Sequence, residues 1–277
     1  MRLDAHQHFW IYNRDEYRWM DERHEAIRND FLPSDLLPLL QQLEFDGSIV
    51  VQARQSIEET EWLLSLAKKN SFIKGVVGWL DLCSDNIDAQ LQKYSINPKL
   101  KGVRHVVHDE PDDGFMLRKD FRHGISLLER YGLTYDLLLF PQHLKPAIEL
   151  IRLFPEQAFV LDHIAKPNIM NREMQPWKDD LRRLTEHRNI YCKLSGMVTE
   201  AKLNAWQESE FEPYLDVVFD AFGPERLMIG SDWPVCNLSG SYPSVMQIVM
   251  NYITKYPEDT QKGILGENCR KLYKIHE

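Results

Sequence analysis

Eight short apolar runs rich in β-branched residues recur along the 277 residues of this chain, each followed by a helix-like stretch. They occupy 3–5, 48–53, 73–80, 102–107, 133–139, 158–162, 189–194 and 226–230. The runs are nearly continuous in apolar character, not cleanly alternating, which is how parallel strands buried on both faces read. Amphipathic helices are predicted between them, at 58–69, 121–131, 143–154, 177–187, 214–222 and 242–256. In the first of these, Trp62, Leu63, Leu66 and Ala67 share the apolar side. Eight strands alternating with helices in one domain's length predict a closed (β/α)8 barrel spanning 1–277 as a single domain. The competing fold is a doubly wound open sheet. It would want a glycine-rich phosphate loop, and neither GxGxxG nor GxxxxGK[ST] occurs.

Hydrophobic residues make up 43% of the chain, enough for a large buried core. The net charge of -9 argues against nucleic acid as a partner, because that partner demands a basic surface. The four cysteines form no CxxC pair, so four reduced thiols are expected instead of a zinc ribbon or a disulfide framework. The N-terminal residues contain no apolar signal region, and no apolar run reaches the ~20 residues needed to span a bilayer. A cytoplasmic protein with no membrane partner is therefore expected. The longest gap between strands runs from 10 to 46 and is rich in Trp, Tyr, Arg, Glu and Asp. It is expected to lie over the barrel mouth, with a helix at 34–43 for which Ser34 is the candidate N-cap.

Barrel enzymes carry their chemistry at the C-terminal ends of the strands. After the first run come His6 and His8, two apart and so directed to one side. Two imidazoles there suit a divalent metal, and they suit a substrate carbonyl equally well. After the eighth run comes Asp232, which can ligate a metal or take a proton from water. His163 follows the sixth run beside Asp162, and simple alternation lets only one of that pair face the mouth. Arg104 and His105 on the fourth run raise the same question. Gln52, Trp79 and Lys193 complete the candidate substrate contacts, and Trp10, Trp79 and Trp233 are candidate platforms for an apolar substrate face. The strand ends lack the ligands of a two-metal centre, so one metal at most is expected, on His6, His8 and Asp232.

Five segments occur in a telling order: His6-Gln7-His8-Phe9-Trp10, Gly102-Val103-Arg104-His105, 162–167 (DHIAKP), 191–196 (YCKLSG) and Gly230-Ser231-Asp232-Trp233-Pro234. Together they resemble the amidohydrolase superfamily. More narrowly, they resemble its lactonase branch of L-fuconolactonases, L-rhamnonolactonases and related hydrolases. The likeness runs from residue 2 to about residue 273, and the stretch 104–111 (RHVVHDEP) is most similar to the sugar-lactone members. The resemblance implies a (β/α)8 barrel of the amidohydrolase type that hydrolyses a small-molecule sugar lactone. It implies that Asp232 activates water, that His6, His8 and His163 surround the lactone carbonyl, and that Arg104 contacts the substrate or the oxyanion. Some members of the branch work without a metal and others carry a single zinc, so the need for metal stays open. The alternative activity is that of a single-metal hydrolase or decarboxylase acting on another small carboxylate or dicarboxylate lactone. The choice of lactone and the oligomeric state are not written in the sequence.

Overall fold

The computed structural model describes residues 1–276. Its eight strands form one sheet in chain order: β1 (Leu3–Gln7), β2 (Gly47–Val51), β3 (Ile73–Gly78), β4 (Leu100–His105), β5 (Thr134–Leu137), β6 (Phe159–Leu161), β7 (Ile190–Leu194) and β8 (Leu227–Ile229). Every neighbouring pair is parallel. The sheet closes on itself just beyond β8. Gln7 pairs in parallel with Trp233, His8 N donates to Trp233 O at 2.7 Å, and Asp232 N donates to His6 O at 2.8 Å. Closure therefore places the ends of the first and last strands side by side. The expected (β/α)8 barrel is the fold found.

Helices α1 (Pro33–Gln42), α2 (Ile57–Lys69), α3 (Ile87–Ser95), α4 (Lys119–Leu128), α5 (Leu144–Leu153), α6 (Trp177–Leu184), α7 (Glu212–Phe222) and α8 (Tyr242–Ile253) follow their strands. The helix expected from Ser34 starts one residue earlier. Pro33 opens it, because proline has no N–H to leave unpaired in a first turn. Asp35, not Ser34, supplies the cap, accepting from Leu32 N at 2.8 Å. Helix α3 was not anticipated. Its short apolar face, Ile87, Leu91 and Tyr94, gives a weak periodic signal.

The largest apolar cluster lies between the strands and the helices and includes Val50, Val76, Val103, Leu137, Leu161 and Leu194. A second cluster joins Leu3, Ala5, Ile49, Val51, Val77, Val160 and Met228 with Cys269 and Tyr273 from the end of the chain. These are the intervening residues of the same strands, so they face the barrel interior. Strand β1 carries an irregularity that matters for the site. Asp4 pairs with Ser48 but Gln7 pairs with Val50, so one extra residue is taken up between them. Such a bulge reverses the side to which later residues point. Leu3 and Ala5 below it, and His6 and His8 above it, all turn inward.

The segment between β1 and α1 folds back over the mouth as expected. An antiparallel bridge joins Trp10 to Phe31, and a short 3₁₀ helix covers Glu22–Ile27. Among the described residues, no helix is long and apolar enough to cross a membrane.

Candidate active site

At the C-terminal ends of the strands is a cavity of about 460 Å³, a size typical of small-molecule sites. His8, Arg104, His163 and Asp232 line it, and Trp10, Trp19 and His24 reach it from the segment over the mouth. His6 lies just beneath this lining and is fully buried.

Three imidazoles converge on one carboxylate. The Nε2 atoms of His8, His6 and His163 lie 3.3, 3.8 and 3.8 Å from Asp232 Oδ1. His6 Nε2 and His8 Nε2 are 3.2 Å apart. Each ring is held through its other nitrogen. His8 Nδ1 is 2.8 Å from Val51 O, and a carbonyl can only accept. In the neutral ring the proton is thus assigned to Nδ1, and Nε2 offers a lone pair. His163 Nδ1 sits 2.9 Å from Ser195 Oγ. His6 Nδ1 faces Asp162 Oδ1 at 3.3 Å and Lys193 Nζ at 3.3 Å.

Local backbone conformation makes this convergence possible. Residues His163, Ile164, Ala165 and Lys166 all have positive φ, from 48° to 61°. Such a run is costly for residues with side chains. It bends the chain so that Asp162 and His163 both reach the interior, which simple alternation forbids. Gly196 supports the turn. Its φ is +62°, and a Cβ there would meet the His163 ring at 2.5 Å. Asp232 also has positive φ, 58°, and its backbone is tied to His6 O.

Burial pushes the His6 and His163 imidazoles well below their usual range, so both are neutral. Burial alone would push Asp232 up. The facing ring nitrogens, His163 foremost and then His8, outweigh it whenever one of them carries a proton toward Oδ1, and hold the carboxyl below its usual range. The site therefore presents a carboxylate ringed by imidazole nitrogens.

Under these groups lies a buried charge network. Lys193, Asp136 and Asp162 are fully buried. Lys193 Nζ bonds Asp136 Oδ2 and lies 3.1 Å from Asp162 Oδ1. Burial opposes the Lys193 charge, but Asp136 and Asp162 raise its pKa above the usual value, so it stays an ammonium. Burial likewise pushes Asp162 up, and Lys193, His6 and Arg104 together bring it well below its usual range. Tyr273 and Thr134 donate to Asp136 at 2.9 and 3.0 Å. Arg104 Nη1 donates to Asp162 Oδ2 at 3.0 Å, and its remaining nitrogens are pinned by Gln52 through the side-chain and main-chain oxygens.

The other candidates from the sequence fall outside the cavity. Lys193 and Gln52 are buried supports of His6 and Arg104. His105 turns toward the helices, stacked on Phe115 with centroids 4.8 Å apart, and bonds Glu110 at 2.6 Å. Trp79 donates to His105 Nδ1 at 3.3 Å. Trp233 packs edge-on against Phe9 and Phe31. None of these five lines the cavity. Sequence reasoning missed Trp19, His24, Phe140 and Glu200, which do line it. They come from loops and, for His24, from the short 3₁₀ helix, where no periodicity marks an inward position.

Two sets of donors could hold a metal among the described residues: His6, His8 and Asp232, and His6, Asp162 and His163. The first fits. Tetrahedral zinc with bonds near 2.0–2.1 Å needs ligand atoms about 3.3 Å apart, and His8 Nε2 stands 3.2 Å from His6 Nε2 and 3.3 Å from Asp232 Oδ1. Lone pairs and a carboxylate facing one another also want a cation between them. The second set does not fit, because Lys193 and Arg104 already neutralise Asp162.

Comparison with known proteins adds a lineage to this geometry. Residues 3–275 match a family model described as Amidohydrolase. An L-fucono-1,5-lactonase of Burkholderia ambifaria is 38% identical over 242 residues, covering 87% of this chain and 83% of the relative. An L-fucono-1,5-lactonase of Burkholderia multivorans is 35% identical across 100% of this chain and 97% of its own. The crystal structure of an amidohydrolase from Burkholderia multivorans with bound zinc superposes with a TM-score of 0.96 at 35% identity, covering all of both chains.

Proposed function

The chain belongs to the amidohydrolase family, and from that premise we propose that it is a lactonase that opens a neutral sugar-acid lactone of the L-fucono or L-rhamnono type. The observation that carries the reading is the convergence of three imidazole Nε2 atoms on the Asp232 carboxylate at the cavity wall. The curated relatives named above support the substrate class.

Asp232 acts as the base. A water molecule against its Oδ1 attacks the lactone carbonyl carbon and gives its proton to the carboxylate. The carbonyl oxygen gathers negative charge. Arg104, fixed by Gln52 and Asp162, places a permanent positive charge in the cavity wall beside it. One Nη1 N–H is engaged by Asp162, and the other makes only a long 3.4 Å contact with His6 Nε2, which leaves it available to the oxyanion. The bond from the carbonyl carbon to the ring oxygen then breaks. Protonated Asp232 returns its proton to the ring oxygen, and the product is the open hydroxy acid. A divalent metal held by His6, His8 and Asp232 would add Lewis-acid polarisation of the carbonyl and acidify the attacking water.

The charge balance of the cavity favours a neutral substrate over a carboxylated one. Its cations are already paired: Arg104 with Asp162 at 3.0 Å, Lys166 with Glu200 at 2.7 Å, and Arg23 with Asp21 at 2.6 Å. A substrate carboxylate would enter without a free partner, and burying an unpaired charge is costly.

A pH-indicator screen of aldonolactones, run with and without chelator, tests the reading. Acid release from an L-configured aldonolactone is expected. Activity confined to dicarboxylate lactones, or to decarboxylation, would overturn it.

A further inference from the structure

His108 lies in the loop after β4 and lines the same cavity as Arg104, His163 and Asp232, yet the hydrolytic steps above make no use of it. Its ring is stacked on Phe140, with centroids 4.7 Å apart and planes 18° from parallel. Nδ1 is buried and has no hydrogen-bond partner. Nε2 lies 3.5 Å from Asp109 Oδ1, and Asp109 lines the cavity too.

The ring is neutral. Burial, helped by the positive charges of Lys166 and Arg104 and by His143, pushes its pKa down to about 3, and Asp162 opposes this only weakly. A neutral imidazole carries one N–H. Orphaned buried N–H groups are rarer than orphaned acceptors, so the partnerless Nδ1 holds the lone pair. The proton sits on Nε2, which faces a carboxylate. The cavity wall therefore offers one uncharged N–H donor with an acceptor, Asp109 Oδ1, beside it. One oxygen function satisfies both at once. A hydroxyl accepts from Nε2–H and donates to Asp109, whereas an ether, carbonyl or carboxylate oxygen cannot donate.

We propose that His108 is a specificity-determining residue that, together with Asp109, binds one hydroxyl of the lactone through its Nε2–H. The assignment rests on the lactonase reading and deepens it: the enzyme selects lactones bearing a hydroxyl at one ring or side-chain position. Stacking on Phe140 fixes the ring plane, so the donor is aimed before substrate arrives.

The experiment compares wild type, His108→Ala, His108→Gln and His108→Asn on the best aldonolactone and on its monodeoxy analogues. His108→Ala should lower kcat/KM on the parent by about ten- to a hundredfold. On one deoxy analogue it should cause no further loss, because the partner hydroxyl is already gone. Glutamine places its amide nitrogen near Nε2 and asparagine near Nδ1, so His108→Gln should retain more activity than His108→Asn. An equal loss from His108→Ala on every analogue, or His108→Asn outperforming His108→Gln, overturns the assignment. The Gln-to-Asn comparison decides alone if the alanine variant does not fold. A wild type that opens no aldonolactone removes the lactonase reading and this one with it. An active wild type with uniform losses removes only the role of His108.

Discussion

His8 Nε2 stands 3.3 Å from Asp232 Oδ1, while the carbonyl of Val51 in the adjacent strand holds the opposite side of the ring. Two groups 224 positions apart in sequence thus meet because the barrel closes between β1 and the end of β8. The contact joins an imidazole nitrogen to a carboxylate, and it is the centre on which the proposed chemistry turns.

Asp232→Asn should keep the fold and lose the reaction. Asparagine retains the size and one carbonyl oxygen, but it cannot take a proton from water. The expected fall in kcat is about 100- to 10,000-fold, read in a pH-indicator assay on the best lactone. Circular dichroism and Tm should stay near wild type. A variant with undiminished kcat would show that another group is the base.

Metal analysis should find no more than one divalent ion per chain. Of the two donor sets among the described residues, only His6, His8 and Asp232 is free to bind one, since Lys193 and Arg104 flank Asp162 in the other. Loss of groups that merely orient a ligand weakens metal binding about 10- to 100-fold, so His8→Ala should weaken zinc binding by more than that in a calorimetric titration. Two ions per chain, or unaltered zinc affinity in His8→Ala, would contradict the site.

Much of this was legible in the residues. Parallel strands buried on both faces leave long apolar runs, and eight of them specify a barrel. Once the barrel is known, His6, His8, His163 and Asp232 fall at one rim. What alternation misplaced was local. A bulge between Asp4 and Gln7 keeps Leu3 and His6 on the same side, and the positive-φ run from His163 to Lys166 lets Asp162 and His163 both face inward. Neither has a sequence signal as strong as a glycine. Gln52 and Lys193 carried the right chemistry, but they act one layer down, as partners of Arg104 and His6. A buried lysine needs buried acids, and that rule, applied to β5 and β6, would have pointed to Asp136 and Asp162. His105 faces outside the barrel for the plain reason that successive residues of β4 point to opposite sides, and Trp79, just after β3, meets it there.

Lys193→Met should destabilise the fold as well as the site. The substitution leaves Asp136 and Asp162 buried beside each other without the ammonium between them. Removing one partner of a buried ion pair costs about 3–5 kcal/mol, measured as the midpoint shift in urea unfolding. The double variant Lys193→Met with Asp136→Asn should recover part of that loss, because one of the stranded charges is gone. A single variant as stable as wild type would mean that the network is not held by charge.

Glu59 gives the fold a pH dependence that lies away from the reacting groups. Its carboxylate oxygen Oε2 accepts from Ala53 N and Arg54 N at 2.9 and 2.8 Å, anchoring the loop after β2 to α2. Burial pushes its pKa up to about 7, and those backbone hydrogen bonds and Arg54 only partly oppose the rise. Between about 4.5 and about 7 the folded chain keeps a proton that the unfolded chain has released. Stability from this group is therefore present at low pH and is lost as pH rises through that window. Glu59→Gln cannot titrate. The difference in Tm between wild type and Glu59→Gln should move against wild type from pH 5 to pH 8, with most of the change complete near pH 7. Parallel Tm curves for the two proteins would show that Glu59 is ionised in the fold throughout, held by the two N–H donors and Arg54 despite its burial.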